Sequence, residues 1–550
     1  MFKKAMRKSK SIAGASFILA SAALLSGLLG LIRNRLLASR FGAGSQLDIY
    51  FASFRIPDFL STVLITGALS VAVIPLFNYY RNRSQKEGWQ FISALFRWSC
   101  FFLIVLSLLL MILTPWLSKW VVPGFNAVQV KQMITMTRIM LLSPLLLGLS
   151  MILSSVLQSL RHFVVSSLAP VFYNAGIIFG ILFFVPHWGL TGLAWGVVLG
   201  SFLHCAIQWP ALLACHFQYH RFFADQMAAL KKLFRLGLPR TMGVSANQLN
   251  ILVMTSLASM LSVGSISVYN FAADISQFLT RLIGVSFTTA AFPLLALSVS
   301  RKQKKEFLEN FSSAFRQIFY LVVPASFLVF ILRAHIVRIF LGVGHFDWVD
   351  TRLTAACLGI LSLSVFAQSL VTLISRAFAA WHDTRTPARI SIGTVVLNII
   401  LSVVFINLLG QTGGFSEFWR SLLKLQGIAD IRILGLTLAF SLTAIIQLIW
   451  LLTKLDKKMD GWTDYFHRST GVKLFLALTL MTLTTYAVLY ISVSWFNTST
   501  LLGLMAQTSL AGFGGLLVYF LTSWKLHSSE WQSIYQGVKA EFKKDDSENS

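Results

Sequence analysis

The chain has 550 residues, of which 56% are hydrophobic and only 12% charged, with a formal net charge of +26. Apolar runs near the ~20 residues needed to cross a bilayer recur from end to end, which excludes a soluble globular core. The runs do not alternate, which excludes a membrane β-barrel, and the Lys and Arg sit in short loops between them, a pattern of membrane topology rather than of nucleic-acid binding.

The expectation is therefore an all-α integral membrane protein with about fourteen transmembrane helices, near 12–38, 47–78, 93–118, 134–159, 164–186, 190–214, 238–262, 266–298, 314–341, 353–380, 388–409, 432–453, 473–495 and 499–523. The first run follows MFKKAMRKSK and outlasts a signal-peptide core, so it is expected to be retained. YRNRSQKEG, the segment from Arg221 to Arg235, RKQKKE, HDTRTPAR, KLDKKMDG and both ends of the chain carry clustered Lys or Arg. PHWGLTG, SVGSIS and SWFNTST are nearly free of Lys and Arg. Both termini are accordingly placed in the cytoplasm. The loop from Gln411 to Ile431 falls on the outer side, and its FSEFWRSLLKLQ reads as a short surface helix.

Two stretches repeat. VAVIPLFNYYRNRSQKEGWQFISALFRW (Val71 to Trp98) recurs as TAAFPLLALSVSRKQKKEFLENFSSAFRQ (Thr289 to Gln317), and upstream Tyr50 and Phe59-Leu60 match Tyr269 and Phe278-Leu279. Spans two and eight are thus equivalent, six helices apart. An even offset keeps both halves in one orientation, the arrangement of transporters that rock two lobes about a midplane site.

Charge inside these spans locates a candidate site. Arg33, Arg35, Arg40, Asp48, Arg55 and Asp58 crowd the end of span one and span two. An Arg or Asp at mid-bilayer costs about 2.5–3.5 kcal/mol on insertion scales and usually faces a bundle interior or wet cavity. At α-helical spacing Arg55, Asp58, Thr62 and Thr66 share one face of span two, and Asn270, Asp274, Gln277 and Arg281 share one face of span eight. Two readings stand: Arg55 and Asp58 neutralise each other and lock the helix, or the stripes line a cavity. Arg33 is the better cavity candidate on span one, since Arg40 lies near the outer interface. A cavity with several Arg and few carboxylates favours a diphosphate, because the guanidinium donates parallel hydrogen bonds and keeps its proton.

Catalytic and metal readings find little. Cys100, Cys205, Cys215 and Cys357 show no CxxC spacing, and the ten His include no HExxH; His204 and His216 read as ordinary polar residues of the bundle. Gly30, Gly42 and Gly44 read as packing and turn devices, and no Walker A motif implies ATP. An embedded glycosyltransferase or ligase would need an outer-loop acid or base, for which Asp347, Asp350 and Glu417 are all that is offered. No catalytic residue, metal or cofactor is expected, and the chain is expected not to be an enzyme.

FGAGSQLDIYFASFRIPDFL with TGALSVAVIPLF, LQSLRHFVVSSLAPVFYNAG (Leu157 to Gly176) and SRAFAAWHDTRTPARI (Ser375 to Ile390) resemble the MurJ/MviN lipid II flippases of the MOP exporter superfamily. The resemblance implies an N-terminal lobe at 1–220 (spans 1–6), a C-terminal lobe at 221–460 (spans 7–12), and two additional helices with the tail at 461–550. It implies that undecaprenyl-diphosphate-linked peptidoglycan precursor (lipid II) is flipped from inner to outer leaflet by alternating access, for cell-wall synthesis. The lipid tail is implied to use a groove formed by spans thirteen and fourteen (Lys473 to Trp524), and the headgroup a central cationic cavity. Arg33 and Asp48 match motif positions, whereas Gly27, Ser61 and Thr66 stand where the family has Arg, Arg and Glu. On span eight the family's Arg and Glu fall near Asp274 and Gln277.

The expected headgroup site is Arg33, Arg55, Arg281 and Asp48, lined by Asp58, Thr62, Thr66, Asn270, Asp274 and Gln277, with Asn250 and Asp274 as candidate cation ligands. The expected drive is a coupling cation or the membrane potential. Expected partners are the lipid-linked precursor, membrane lipids and the cell-wall synthesis machinery, around a monomer in the bacterial inner membrane. The alternatives are a flippase of another polyprenyl-diphosphate glycan, a multidrug exporter of the same superfamily, or a scaffold.

Overall fold

A computed structural model describes residues 12–63, 70–221, 226–459, 468–528 and 530–532. All regular structure among them is helical. Among the described residues eleven helices are long and apolar enough to cross a membrane, or twelve if Trp348–Ser362 and Val365–Ala380, bent by 43°, form one span. The other two expected spans are not so regular. Span two is broken at Phe54, and residues 64–69 lie outside the described residues. Span seven falls in the helix Gln226–Ser259, where Asn247, Gln248 and Asn250 dilute the apolar run.

The helical plan repeats as the sequence does. Gln85–Val121 and Lys304–Phe340 are both 37 residues long. Each is followed by an interrupted pair, Ala127–Met140 with Ser143–Ser159 and then Trp348–Ser362 with Val365–Ala380. A π-turn also recurs at matching places, beginning at Ser61 directly after Leu60 and at Thr280 directly after Leu279. Such insertions displace side chains off α-helical register and concentrate at functional positions.

The chain divides into two compact units, 1–267 with 343–347, and 268–342 with 348–550. The helix Gln226–Ser259, expected to open the second lobe, packs in the first unit. Its Ala229 and Leu233 join a core with Val73, Phe77, Trp89, Ile92 and Val156. The second unit has its own core around Phe307, Phe311, Ile318, Leu370, Phe378 and Leu451. Side chains such as Ile112, Trp116, Phe513 and Leu502 are exposed. On a spanning helix that surface faces lipid.

Between helices, apolar attraction is weak in lipid, and close backbone packing replaces it. The helix Phe163–Phe179 meets Leu190–Ala206 through glycines: a Cβ on Gly176 would lie 2.4 Å from Gly200 Cα, and one on Gly180 2.4 Å from Gly196 Cα. This fit fixes the helix that carries Tyr173 and Asn174. In the second unit the last two helices pack together, and Tyr519 donates its hydroxyl to the carbonyl of Tyr320 at 2.8 Å.

Candidate functional site

Arg33 lies on the first helix, Ile12–Phe41, half-buried. Its Nε and Nη2 donate to Asn34 Oδ1 at 3.2 and 2.9 Å, and its Nη1 donates to Asn174 Oδ1 at 3.2 Å. Asn174 Nδ2 in turn donates to the Ser26 carbonyl, Ser26 Oγ and the Pro170 carbonyl, each at 3.2 Å. The two amides orient the guanidinium without removing its charge.

Arg55 is delivered by the break in span two. Pro57 has no N–H for the Ser53 carbonyl four residues earlier, so the helix cannot run straight through. Thr137 supplies the missing donor, its Oγ1 reaching the Ser53 carbonyl at 3.3 Å. The turn at Phe54 then starts a short helix, Arg55–Leu60, with Arg55 buried and Asp58 half-buried. The Asp58 carboxylate sits in the field of Arg55 and, more weakly, of Arg33. Tyr173 lies within electrostatic reach of Asp58, Tyr50 and Arg33. Arg33, Arg55, Asp58, Tyr173 and Asn174 thus form one polar cluster in the first unit. A cluster of this kind orients donors toward an anion and keeps a resident carboxylate beside them.

The stripe expected along span two meets a π-turn at Ser61. That turn shifts Thr62 off the α-helical spacing that put it in line with Arg55. Thr62 is half-buried within that turn, and Thr66 lies outside the described residues. Gly27 and Ser61 are both half-buried.

Asp48 has a structural task. Its side chain is 4% exposed, Oδ2 accepts the Gly264 amide at 2.6 Å, and Oδ1 accepts the Ser267 amide and hydroxyl at 2.8 and 2.7 Å. It therefore caps the start of the helix Ser265–Leu279. Gly264 is required there: its φ is +91°, and a Cβ would lie 2.0 Å from the Ala43 carbonyl oxygen. Three donors on one carboxylate leave little capacity for a headgroup.

In the second unit Asn270 and Asp274 are half-buried, and Gln277 and Arg281 are exposed. Arg281 Nη2 donates to Gln277 Oε1 at 3.0 Å. Arg281 belongs to the π-turn Thr280–Val285, which brings Gly284 so close to Ser369 that a Cβ would lie 2.7 Å from the Ser369 Cβ. Asn250 is buried on the helix Gln226–Ser259 of the first unit. Among the described residues no three His, Cys, Asp or Glu gather to hold a metal ion. His204 Nδ1 pairs with Ser150 Oγ at 2.6 Å, beside Gln208, as a bundle histidine does.

Residue-by-residue reading missed Asn34, Tyr173 and Asn174. Tyr173 and Asn174 lie inside VFYNAG, a segment notable in the sequence only for its family likeness.

Two units of repeated helical plan with charge held inside their spans define a membrane transporter. The solved structures agree on the architecture. A lipid II flippase MurJ in an inward closed conformation is 24% identical, covering 92% of this chain and 98% of that one, with a TM-score of 0.71. An inward-facing multidrug resistance MATE family transporter of the MOP superfamily is 13% identical over 82% of this chain and 99% of its own, with a TM-score of 0.65. The lipid II flippase MurJ family matches residues 37–510, and the chain belongs to that family. Among relatives, the lipid II flippase MurJ of Burkholderia cenocepacia is 26% identical over 471 residues, 82% of this chain and 86% of its own. The probable lipid II flippase MurJ of Buchnera aphidicola is 29% identical over 385 residues, 69% and 75% of the two chains. Asp48, Arg55, Asp58, Asp274 and Arg281 lie within the matched residues; Arg33 lies four residues before them.

Proposed function

We propose that the chain carries lipid II, the undecaprenyl-diphosphate-linked peptidoglycan precursor, from the inner to the outer leaflet of the bacterial inner membrane. Family membership supports the cargo class. The observation that carries the reading to particular residues is the cluster of Arg33 and Arg55 in the first unit, in which Asn34 and Asn174 orient Arg33. In this reading the two guanidinium groups grip the diphosphate, and Asp58 is the resident anion it displaces. Arg281 of the second unit is a further cation to test, on the helical stripe with Asn270, Asp274 and Gln277. Asp48 acts by holding the entry of span eight in place rather than by touching the headgroup.

Transport is by alternating access, with the isoprenoid tail remaining in lipid, and needs no covalent chemistry. Both termini lie in the cytoplasm, as the basic loops favour. The membrane potential gives the direction: moving one negative charge outward from a negative interior gains about 2.3 kcal/mol per 100 mV. Asn250 and Asp274 are the residues to test for a coupling cation. The chain works as a monomer alongside the cell-wall synthesis machinery.

The test is depletion of a host's own flippase with this gene supplied in trans. Growth and lipid II reaching the outer leaflet are expected. Good expression with neither would sink the reading, and rescue of drug resistance instead would indicate a multidrug exporter.

A further inference from the structure

The loop between Gln411 and Ile431 is tightly folded. Leu423, Leu425, Ile428 and Ile431 are buried. Arg420 donates to the carbonyls of Ile428 and Ala429, and Arg352, from the helix Trp348–Ser362, donates to those of Lys424 and Gln426. Asp430 and Arg432 form an ion pair at 2.7 Å beside them. These bonds fold the segment after the helix Gly414–Leu422 back onto that helix and onto the helix Trp348–Ser362.

That short helix presents three different sides. Ser416, whose Oγ donates to the Leu409 carbonyl, and Leu423 just after the helix are buried in the lobe. Glu417 and Ser421, one turn apart, are exposed and polar. Phe415, Phe418 and Leu422, at i, i+3 and i+7, form the third side and are 37, 57 and 48% exposed. A helix at a water-facing surface needs only two of these sides, protein and water. The apolar third side continues the span below it, Arg385–Gly410. The Phe415 ring stacks on Phe405 of that span, 6.1 Å between centroids and 10° between planes. Ile400, Val403, Val404 and Leu408 then extend the same exposed apolar surface along the span.

We infer that Gly414–Leu422 is an interfacial helix lying in the leaflet away from the basic loops. Its Phe415, Phe418 and Leu422 enter the acyl-chain boundary while Glu417 and Ser421 face water. The occupant of the apolar side is phospholipid. A helix held at this depth by one side on protein, one in lipid and one in water resists both sinking and lifting. It fixes the second unit's level in the membrane at the surface where transported cargo would emerge.

The test uses full-length protein in single-copy lipid nanodiscs, with Cys100, Cys205, Cys215 and Cys357 replaced by Ala. A bimane label is placed at Phe418→Cys, Leu422→Cys or Glu417→Cys, using only variants that keep the parent's thermal midpoint. Lipids carrying a nitroxide near the carbonyl end should quench the labels at 418 and 422 several-fold more than that at 417. Aqueous iodide should show the reverse order. Equal iodide quenching at all three sites would overturn the proposal in favour of a water-exposed loop. Labels at 418 and 422 shielded from both quenchers would overturn it too, indicating cover by protein. Neither result bears on the cargo, so this proposal and the flippase reading fail separately.

Discussion

The two repeats place the same helical plan around different polar chemistry. In the first, span two is broken at Phe54, and its Arg55 and Asp58 sit buried or half-buried beside Arg33, Tyr173 and Asn174. In the second, Arg281 is exposed and is held by Gln277 of its own helix. Both have a π-turn just past the matched Phe-Leu pair, at Ser61 and at Thr280. A duplicated scaffold therefore conserves where the helix loosens, while the side chains placed there diverge. The first repeat has a cation, Arg33, oriented by two amides, and the second an exposed cation held by Gln277 on its own helix. Pre-organised donors lose less freedom on gripping a ligand. The first repeat should thus carry most of the cargo affinity.

Substitutions can break that asymmetry. Arg33→Ala and Arg55→Ala should each abolish rescue of a flippase-depleted host at unchanged protein level, and Arg33→Lys should restore little, because a point charge cannot reproduce the fork held by Asn34 and Asn174. Asn174→Ala should follow at about tenfold lower transport, roughly the ~1.4 kcal/mol expected from one lost orienting hydrogen bond, measured as the lipid II flux in vesicles. Asp58→Asn removes the resident anion. Cargo should bind several-fold tighter and leave more slowly, seen as a fall in both Kd and turnover. Arg281→Ala should lower transport by only a few-fold, and Arg281→Lys should recover it, which is the signature of simple attraction. If the Arg281 variants behave like those at Arg33, the two repeats are equal partners and the asymmetry is wrong.

Two predictions concern the frame rather than the cargo. Asp48→Ala strips a buried cap of three donors and should destabilise the fold by about 1–3 kcal/mol, seen as a lower thermal midpoint in detergent. The smallest effect belongs to the HDTRTPAR loop. Partial burial pushes the Asp383 carboxyl up, but the Thr386 amide and hydroxyl and the Lys458 ammonium at 3.0 Å outweigh it and hold the pKa below the usual carboxylate range. A depressed folded pKa gives stability that is present above the unfolded value and is lost as pH falls through the folded one. Wild type and Asp383→Asn should therefore differ in thermal midpoint at neutral pH and converge in the acid range.

Much of this was legible in the chain. Apolar length and basic loops marked a many-span helical bundle, and the Val71 and Thr289 segments revealed the repeat. Arg33 and Arg55 stood out because charge in a span is costly. Less legible was anything set by distant packing. Asp48 meets Gly264 and Ser267 more than two hundred residues away, so its capping role had no local sign. Asn174 reaches Arg33 only because glycine contacts fix the helix that carries it. The line of Arg55, Asp58, Thr62 and Thr66 assumed an unbroken α-helix; Pro57 and the π-turn at Ser61 are what it did not allow for.

The most direct measurement is lipid II translocation by purified protein in vesicles, comparing wild type, Arg33→Ala with Arg55→Ala, and Arg281→Ala. The double variant of the first repeat should show no transport above empty vesicles, with folding intact by thermal midpoint, while Arg281→Ala keeps a measurable fraction. Transport by the double variant at the wild-type rate would contradict the assignment of the cargo grip to the first-repeat cluster.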